Sequence, residues 1–342
     1  MKIAVDAMGG DHAPRNPVHG AVLAASEVES EIVLVGDEPT IRRELEAHGS
    51  PAGISIVHAE QVIGMEEGMA TGIRRKRQSS IHVGARLLRS GDVDGVVSAG
   101  NTGAVMAVTK VIAGTLDGVD RPALAVVLPT QTGRALVLDV GANADPKGRH
   151  LVQFGLIGDQ LARQLLGIAR PRVGLLSIGE EAGKGNDLVR SAHRGLSAQD
   201  IEFLGNVEAR DLYQGGADVV VCDGFTGNIL LKTSEAAVET LRTLMREEFA
   251  RTIAGKIGGL FARGAFARLR KRVDYEEFGG ALLVGVRGLT VISHGRSTPR
   301  ALGNAIGLVE EYARHDLNSC VETALAGLVT VDPTETASIG VN

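Results

Sequence analysis

The sequence predicts an α/β fold built on a largely parallel sheet. Short apolar runs rich in β-branched residues recur along the chain, stretches of helical periodicity mostly separate them, and the runs repeatedly end in small polar turns. Glycine, 45 of 342 residues, stands well above its usual share of about 7%, which implies many tight turns and close backbone approaches.

The first strand-like run, Ile3–Asp6, ends in DAMGGD (6–11). Ile32–Gly36 and Ile54–His58 follow, and Gly95–Ser98 runs into SAGNTGA (98–104). Leu124–Leu128 comes next, and Ala135–Val140 carries the chain into DVGANAD (139–145). Val173–Ile178 leads to SIGEEAGKGN (177–186), and Ile201–Leu204 is a short run of its own. Val219–Cys222 follows the turn-forming Gly215-Gly216 and ends in DGFTGN (223–228); Leu289–Ser293 ends in SHGRS (293–297). In open α/β sheets ligands bind outside the carboxyl ends of the strands, so these six turns are expected to meet at one cleft. From Thr226 onward, Ile229, Leu230, Ala237, Leu241 and Leu244 recur at helical spacing, which makes DGFTGN a strand-to-helix corner. The unpaired N–H groups and positive dipole end of such a helix suit an anion such as phosphate.

With neither an internal repeat nor a Pro-rich linker, residues 1–330 read as a single catalytic unit and residues 331–342 as a loose tail. Net charge is −5, yet residues 251–272, RTIAGKIGGLFARGAFARLRKR, hold seven basic residues and no acid. As a helix this segment places Ile253, Ile257, Leu260 and Phe261 on one face, while Phe266 and Leu269 fall off the stripe. A basic segment on an acidic body suits an acidic partner, an anionic lipid surface or simply a solvated face. No stretch approaches the roughly 18 uninterrupted apolar residues of a membrane span, and the N-terminus lacks the apolar core of a secretion signal. Two cysteines, Cys222 and Cys320, form neither a disulfide framework nor a metal-ligand spacing. A cytoplasmic protein is expected. Aromatic residues make up 3% and Trp is absent, which disfavours nucleic acid as a partner.

Familiar nucleotide motifs are missing. Gly179 and Gly183 enclose three residues where a P-loop needs four, and Gly185 stands where that motif needs Ser or Thr. No turn matches G-x-G-x-x-G, and neither a G-x-S-x-G elbow nor a Cys–His pairing offers a covalent nucleophile. Direct attack by a bound anion remains.

In order, DAMGGDHAP (6–14), IRRKRQSSI (73–81), SAGNTGA, DVGANAD, IGEEAGKGN (178–186), VCDGFTGNILLK (221–232), FGGALLVGVRG (278–288) and ISHGRS (292–297) closely resemble the bacterial phosphate acyltransferase family known as PlsX, over nearly the full chain. Ser177 departs from the Asn expected before IGEE, and no proline follows Ala281. The resemblance implies transfer of a fatty acyl group from acyl-carrier protein to inorganic phosphate, giving acyl phosphate for phospholipid synthesis. It also implies a three-layer αβα fold, similar to phosphotransacetylases and isopropylmalate dehydrogenases, and a homodimer. A coenzyme-A-dependent phosphotransacetylase and a membrane-associated scaffold are the alternatives.

The metal-dependent decarboxylating dehydrogenases of the wider fold carry an F-G-D-I-L-S-D-like run whose aspartates hold a divalent cation. The matching run here is Thr226–Lys232, with Asn228 and Lys232 in place of the two ligands, so neither metal nor cofactor is expected. Phosphate is already anionic near neutral pH; the enzyme has to position it, stabilise the oxyanion and assist thiolate departure. Lys184 is the candidate mobile cation, Asn228 a donor and His294 an acid for the sulfur or a structural histidine. Asp223 either accepts a phosphate proton or caps its helix. Candidate substrate contacts are Asp6, Gly9, Gly10, Asp11, Asn101, Thr102, Gly103, Asn143, Asn186, Thr226, Gly227 and Lys232. The run Arg74, Arg75, Lys76, Arg77 suits the acidic helices of a carrier protein. Ile257, Leu260 and Phe261 are the candidate membrane contacts, because an acyl phosphate is labile and its next user, a downstream acyltransferase, is expected at the membrane.

Overall fold

The computed structural model describes residues 1–273 and 279–329, without the side chains of 69–71 and 270–273. The loose tail at 331–342 and the side chains of Arg270, Lys271 and Arg272 therefore lie outside the described residues. Along the first part of the chain run β1 Lys2–Asp6, α1 Arg15–Ala24, β2 Glu31–Gly36, α2 Glu38–Ala47, β3 Ile54–His58, α3 Met69–Arg75, α4 Ser80–Ser90, β4 Gly95–Ser98 and α5 Thr102–Ile112. The centre holds β5 Ala123–Pro129, β6 Arg134–Leu138, α6 Gly148–Leu166, β7 Arg172–Leu176, α7 Asp187–Ser197, β8 Glu202–Val207, α8 Ala209–Gln214 and β9 Val219–Val221. The chain continues through α9 Gly224–Arg251, α10 Ile253–Val273, β10 Ala281–Val284, β11 Leu289–Ile292, α11 Pro299–Arg314 and α12 Leu317–Ala326.

Among the described residues eleven strands form one sheet, in the order β3-β2-β1-β4-β11-β10-β5-β6-β9-β7-β8. Every expected strand is present, and β10 is added. Its run of four lies between Gly280 and Gly285, both at positive φ, and it pairs antiparallel with β11 and β5. Buried strands need no alternating pattern, so four apolar residues between glycines give little signal. β5 and β6 are also antiparallel, whereas the other neighbours are parallel.

These reversals correct the single cleft expected at one sheet edge. From the pairings, β6, β9, β7 and β8 run opposite to β1, β2, β3, β4 and β11. The turns after β1, β4 and β11 therefore leave one edge, and those after β6, β7 and β9 leave the other.

Helices cover both faces. Apolar residues of α1, α6, α7, α11 and α12 pack with one face of the sheet, around Phe154, Leu161 and Ile306. On the other face Ala104, Val105 and Val108 of α5 and Leu230 and Leu231 of α9 close over Leu124, Val126, Val137 and Leu283. Beyond its first turns α9 leaves the body and forms a hairpin with α10, where Phe249 and Phe266 meet edge to face at 5.3 Å. The predicted stripe of α10 is open: Ile253, Ile257, Leu260 and Phe261 are each more than half exposed, and Phe266 turns aside onto Phe249.

Candidate active site

A buried aspartate organises the turns at each edge. At the end of β6, Asp139 is completely buried. Its Oδ1 accepts the N–H groups of Leu124, Gly141 and Ala142 at 3.0, 3.1 and 2.9 Å, and its Oδ2 accepts Asn143 N and Nδ2 at 2.7 and 2.8 Å. Burial pushes this carboxyl above the usual range, against the pull of its donors. Asn143 Nδ2 also reaches the Pro122 carbonyl, and the Asn143 carbonyl accepts Gly224 N at 2.7 Å, which fixes the start of α9. A β-carbon at Gly227 would overlap the Asp139 carbonyl oxygen, so this turn accepts only glycine.

Asp223 is the N-cap of α9: its oxygens accept Thr226 N at 2.9 Å and Thr226 Oγ1 at 2.7 Å. The cap is one of its two expected roles. Asn228 is exposed one turn further on, and a β-carbon placed on Gly141 would lie 3.8 Å from its Oδ1. Burial and the nearby Asp139 and Asp223 push the Cys222 thiol well up, which makes it a poor nucleophile.

At the other edge Asp6 is buried, accepts Ser98 Oγ at 2.7 Å and Met8 N at 3.2 Å, and has its pKa raised by desolvation. A β-carbon on Gly9 would lie 2.5 Å from Asp6 Oδ2. Gly100 N donates to Ser98 Oγ, so Asp6 and Ser98 together hold the turn that starts α5. Asn101 caps α5 through Ala104 N and donates from Nδ2 to the Met65 carbonyl at 2.8 Å. Asp11 N donates to the Gly295 carbonyl, and Gly10 lies against that same carbonyl and Ala99. DAMGGD, SAGNTGA and SHGRS thus meet, joined by the Met65 loop that sequence reasoning missed.

α9 connects the edges. Lys232, paired with Glu235 at 2.9 Å, lies eight residues beyond Gly224, about 12 Å along the helix. Both side chains act on His294, whose pKa is lowered first by burial and then by the Lys232 charge. His294 Nδ1 accepts Arg296 N at 3.1 Å, so the neutral ring carries its proton on Nε2.

Lys184 is exposed in its loop, and Asn186 caps α7 through Val189 N. Thr102 and Gly103 occupy the first turn of α5, and the N–H groups of Thr102, Gly103 and Phe225 have no acceptor among the described residues. Asn143 N, by contrast, is engaged by Asp139. Arg74, Arg75 and Arg77 are exposed, whereas Lys76 pairs with Glu67 and the Val62 carbonyl and so braces the Met65 loop. Asp139 and Ser98 were missed as organising residues, although each is a polar residue closing an apolar strand in a quoted turn.

The fold, a mixed and largely parallel sheet with helices on both faces, has close counterparts among solved structures. It is shared with a solved phosphotransacetylase from Streptococcus pyogenes (TM-score 0.61, 17% identity, 94% of each chain covered) and a branched-chain phosphotransacylase from Enterococcus faecalis (0.55, 13%, 91% of this chain and 99% of that one). The sequence model of a family described as "Fatty acid synthesis protein" matches residues 1–320. Curated relatives named phosphate acyltransferase include one from Geobacter sulfurreducens, 48% identical over 319 residues, covering 93% of this chain and 92% of that one. Another, from Pelotomaculum thermopropionicum, is 46% identical over 327 residues, covering 94% and 96%. The chain belongs to the phosphate acyltransferase family that its motifs resemble. Acyl transfer to phosphate is the reaction this membership supports.

Proposed function

We propose that the protein moves a long-chain acyl group from acyl-carrier protein to inorganic phosphate without metal or organic cofactor, supplying acyl phosphate to phospholipid synthesis. The observation that carries this reading is the start of α9, where Asn228 faces Gly141 at a helix N-terminus and the charge of Lys232, about one turn beyond Asn228, bears on His294. A phosphate oxygen attacks the thioester carbonyl carbon, the C–O bond forms, the C–S bond breaks, and the carrier thiolate leaves. Asn228 and the open Phe225 N–H at the start of α9 stabilise the oxyanion and phosphate, and Lys184 closes on the anion from the same edge of the sheet. His294 serves as a neutral Nε2–H donor, because its depressed pKa leaves little imidazolium near neutrality. Residues 1–330 act as one catalytic unit.

The donor is tested by parallel assays with acyl-carrier-protein and acyl-coenzyme-A thioesters of one chain length. Preference for the carrier protein is expected, and it should weaken when Arg74, Arg75 and Arg77 are changed to Glu. Equal or better use of coenzyme A would favour the phosphotransacetylase-like alternative.

The α9–α10 hairpin pairs with a second copy and leaves the exposed Leu260 and Phe261 of α10 for an anionic lipid surface on the inner face of the membrane. Among the described residues no helix is long and apolar enough to cross a membrane, so such contact is peripheral. Vesicle binding should rise with anionic lipid, fall with salt and drop on Leu260→Glu with dimer and activity retained. Equal sedimentation of wild type and variant would leave the segment with its pairing role only.

A further inference from the structure

Asp139 engages five N–H donors, four of them from its own following turn, and the carbonyl at the end of that turn receives the first N–H of α9. The contact repeats from the other side, since Gly227 of α9 lies so close to the Asp139 carbonyl oxygen that it has no room for a β-carbon. Between these two attachments sits the first turn of α9, which ends at Asn228 beside Gly141. We infer that Asp139 is a positioning residue for the acyl transfer, holding the Asn228 amide in register with Gly141 through Asn143 and Gly224. The inference rests on the proposed role of Asn228.

The partner set explains why the residue is an aspartate. Every group facing the carboxylate is a donor, so only an acceptor with two oxygens meets all five; an asparagine there turns an NH2 toward Asn143 N and Nδ2. That clash falls on the link to Gly224 and leaves the Oδ1 contacts with Leu124, Gly141 and Ala142 available. The effect of Asp139→Asn is therefore directed at the start of α9.

A double-mutant cycle tests this, with turnover and thermal stability of the full-length protein read for wild type, Asp139→Asn, Asn228→Ala and the double variant. Asp139→Asn should lower kcat about tenfold or more while KM for the acyl donor changes by less than about threefold. In the Asn228→Ala background the same change should cost less than about threefold, because the group it positions is gone. Asn143→Ala, which removes one donor and keeps the carboxylate, serves if Asp139→Asn does not fold; it should show a smaller kcat loss with the same dependence on Asn228. Equal loss in both backgrounds, or lower stability with unchanged kcat, would overturn the inference while leaving acyl transfer intact. A wild type inactive with both carrier-protein and coenzyme-A donors would instead overturn the functional reading and this inference with it.

Discussion

Asn228→Ala and Lys184→Ala each lower turnover by about a hundredfold while the melting temperature stays nearly unchanged, the effect of deleting one preorganised donor at a developing oxyanion. Both side chains are exposed, and neither fills a core position. Asn228 stands on the open side of α9, where its Oδ1 approaches Gly141. Among the described residues Lys184 is hydrogen-bonded only at its backbone, from N to the Glu181 carbonyl, which leaves its ammonium able to swing with the loop. Truncating either leaves the packing intact, and the loss should appear in kcat/KM. Variants that unfold early, or that turn over at the wild-type rate, would remove these residues from the mechanism.

Gly227→Ala has the opposite signature, a loss of fold and activity together. Its β-carbon would overlap the Asp139 carbonyl oxygen and lie 2.8 Å from Cys222 Sγ, with Asp139 backbone on one side and the buried end of β9 on the other. Nothing there is the flexible end of a side chain, so the start of α9 must move. Overpacking of this kind costs about 3 kcal/mol. Gly183→Ala is the control, because nothing lies within 4 Å of a β-carbon at that position. Denaturant titration should show a lower midpoint for Gly227→Ala and none for Gly183→Ala; equal midpoints with full turnover would refute the packing argument.

Which parts of this architecture were legible follows from their physics. Gly95–Ser98 appears with its expected bounds because a buried parallel strand is a continuous apolar segment ended by a polar turn, and the partly exposed edge strand Ile54–His58 does so through its β-branched Ile54, Ile56 and Val57. The corner at DGFTGN was legible for a similar reason: an acid before Gly-Phe-Thr is a helix cap, and Asp223 caps α9. Strand direction was not legible. β10 is four residues long, and its presence beside the β5–β6 hairpin reverses half the sheet, so the turns divide between two edges. The role of Asp139 was hidden because four of its five donors are backbone amides, which any sequence supplies. Lys76 looked like one more charge in a basic run, and only the fold brings Glu67 and the Val62 carbonyl to it.

The most direct measurement of the central claim is product formation by the purified protein from a long-chain acyl-carrier protein and isotopically labelled phosphate after exhaustive chelation. The account predicts labelled acyl phosphate and free carrier-protein thiol in equal amounts, at the rate seen without chelator, because the proposed anion site draws on Asn228, Lys184 and Lys232 rather than on metal-binding carboxylates. No labelled acyl phosphate, or activity that vanishes on chelation and returns only with magnesium or manganese, would contradict it.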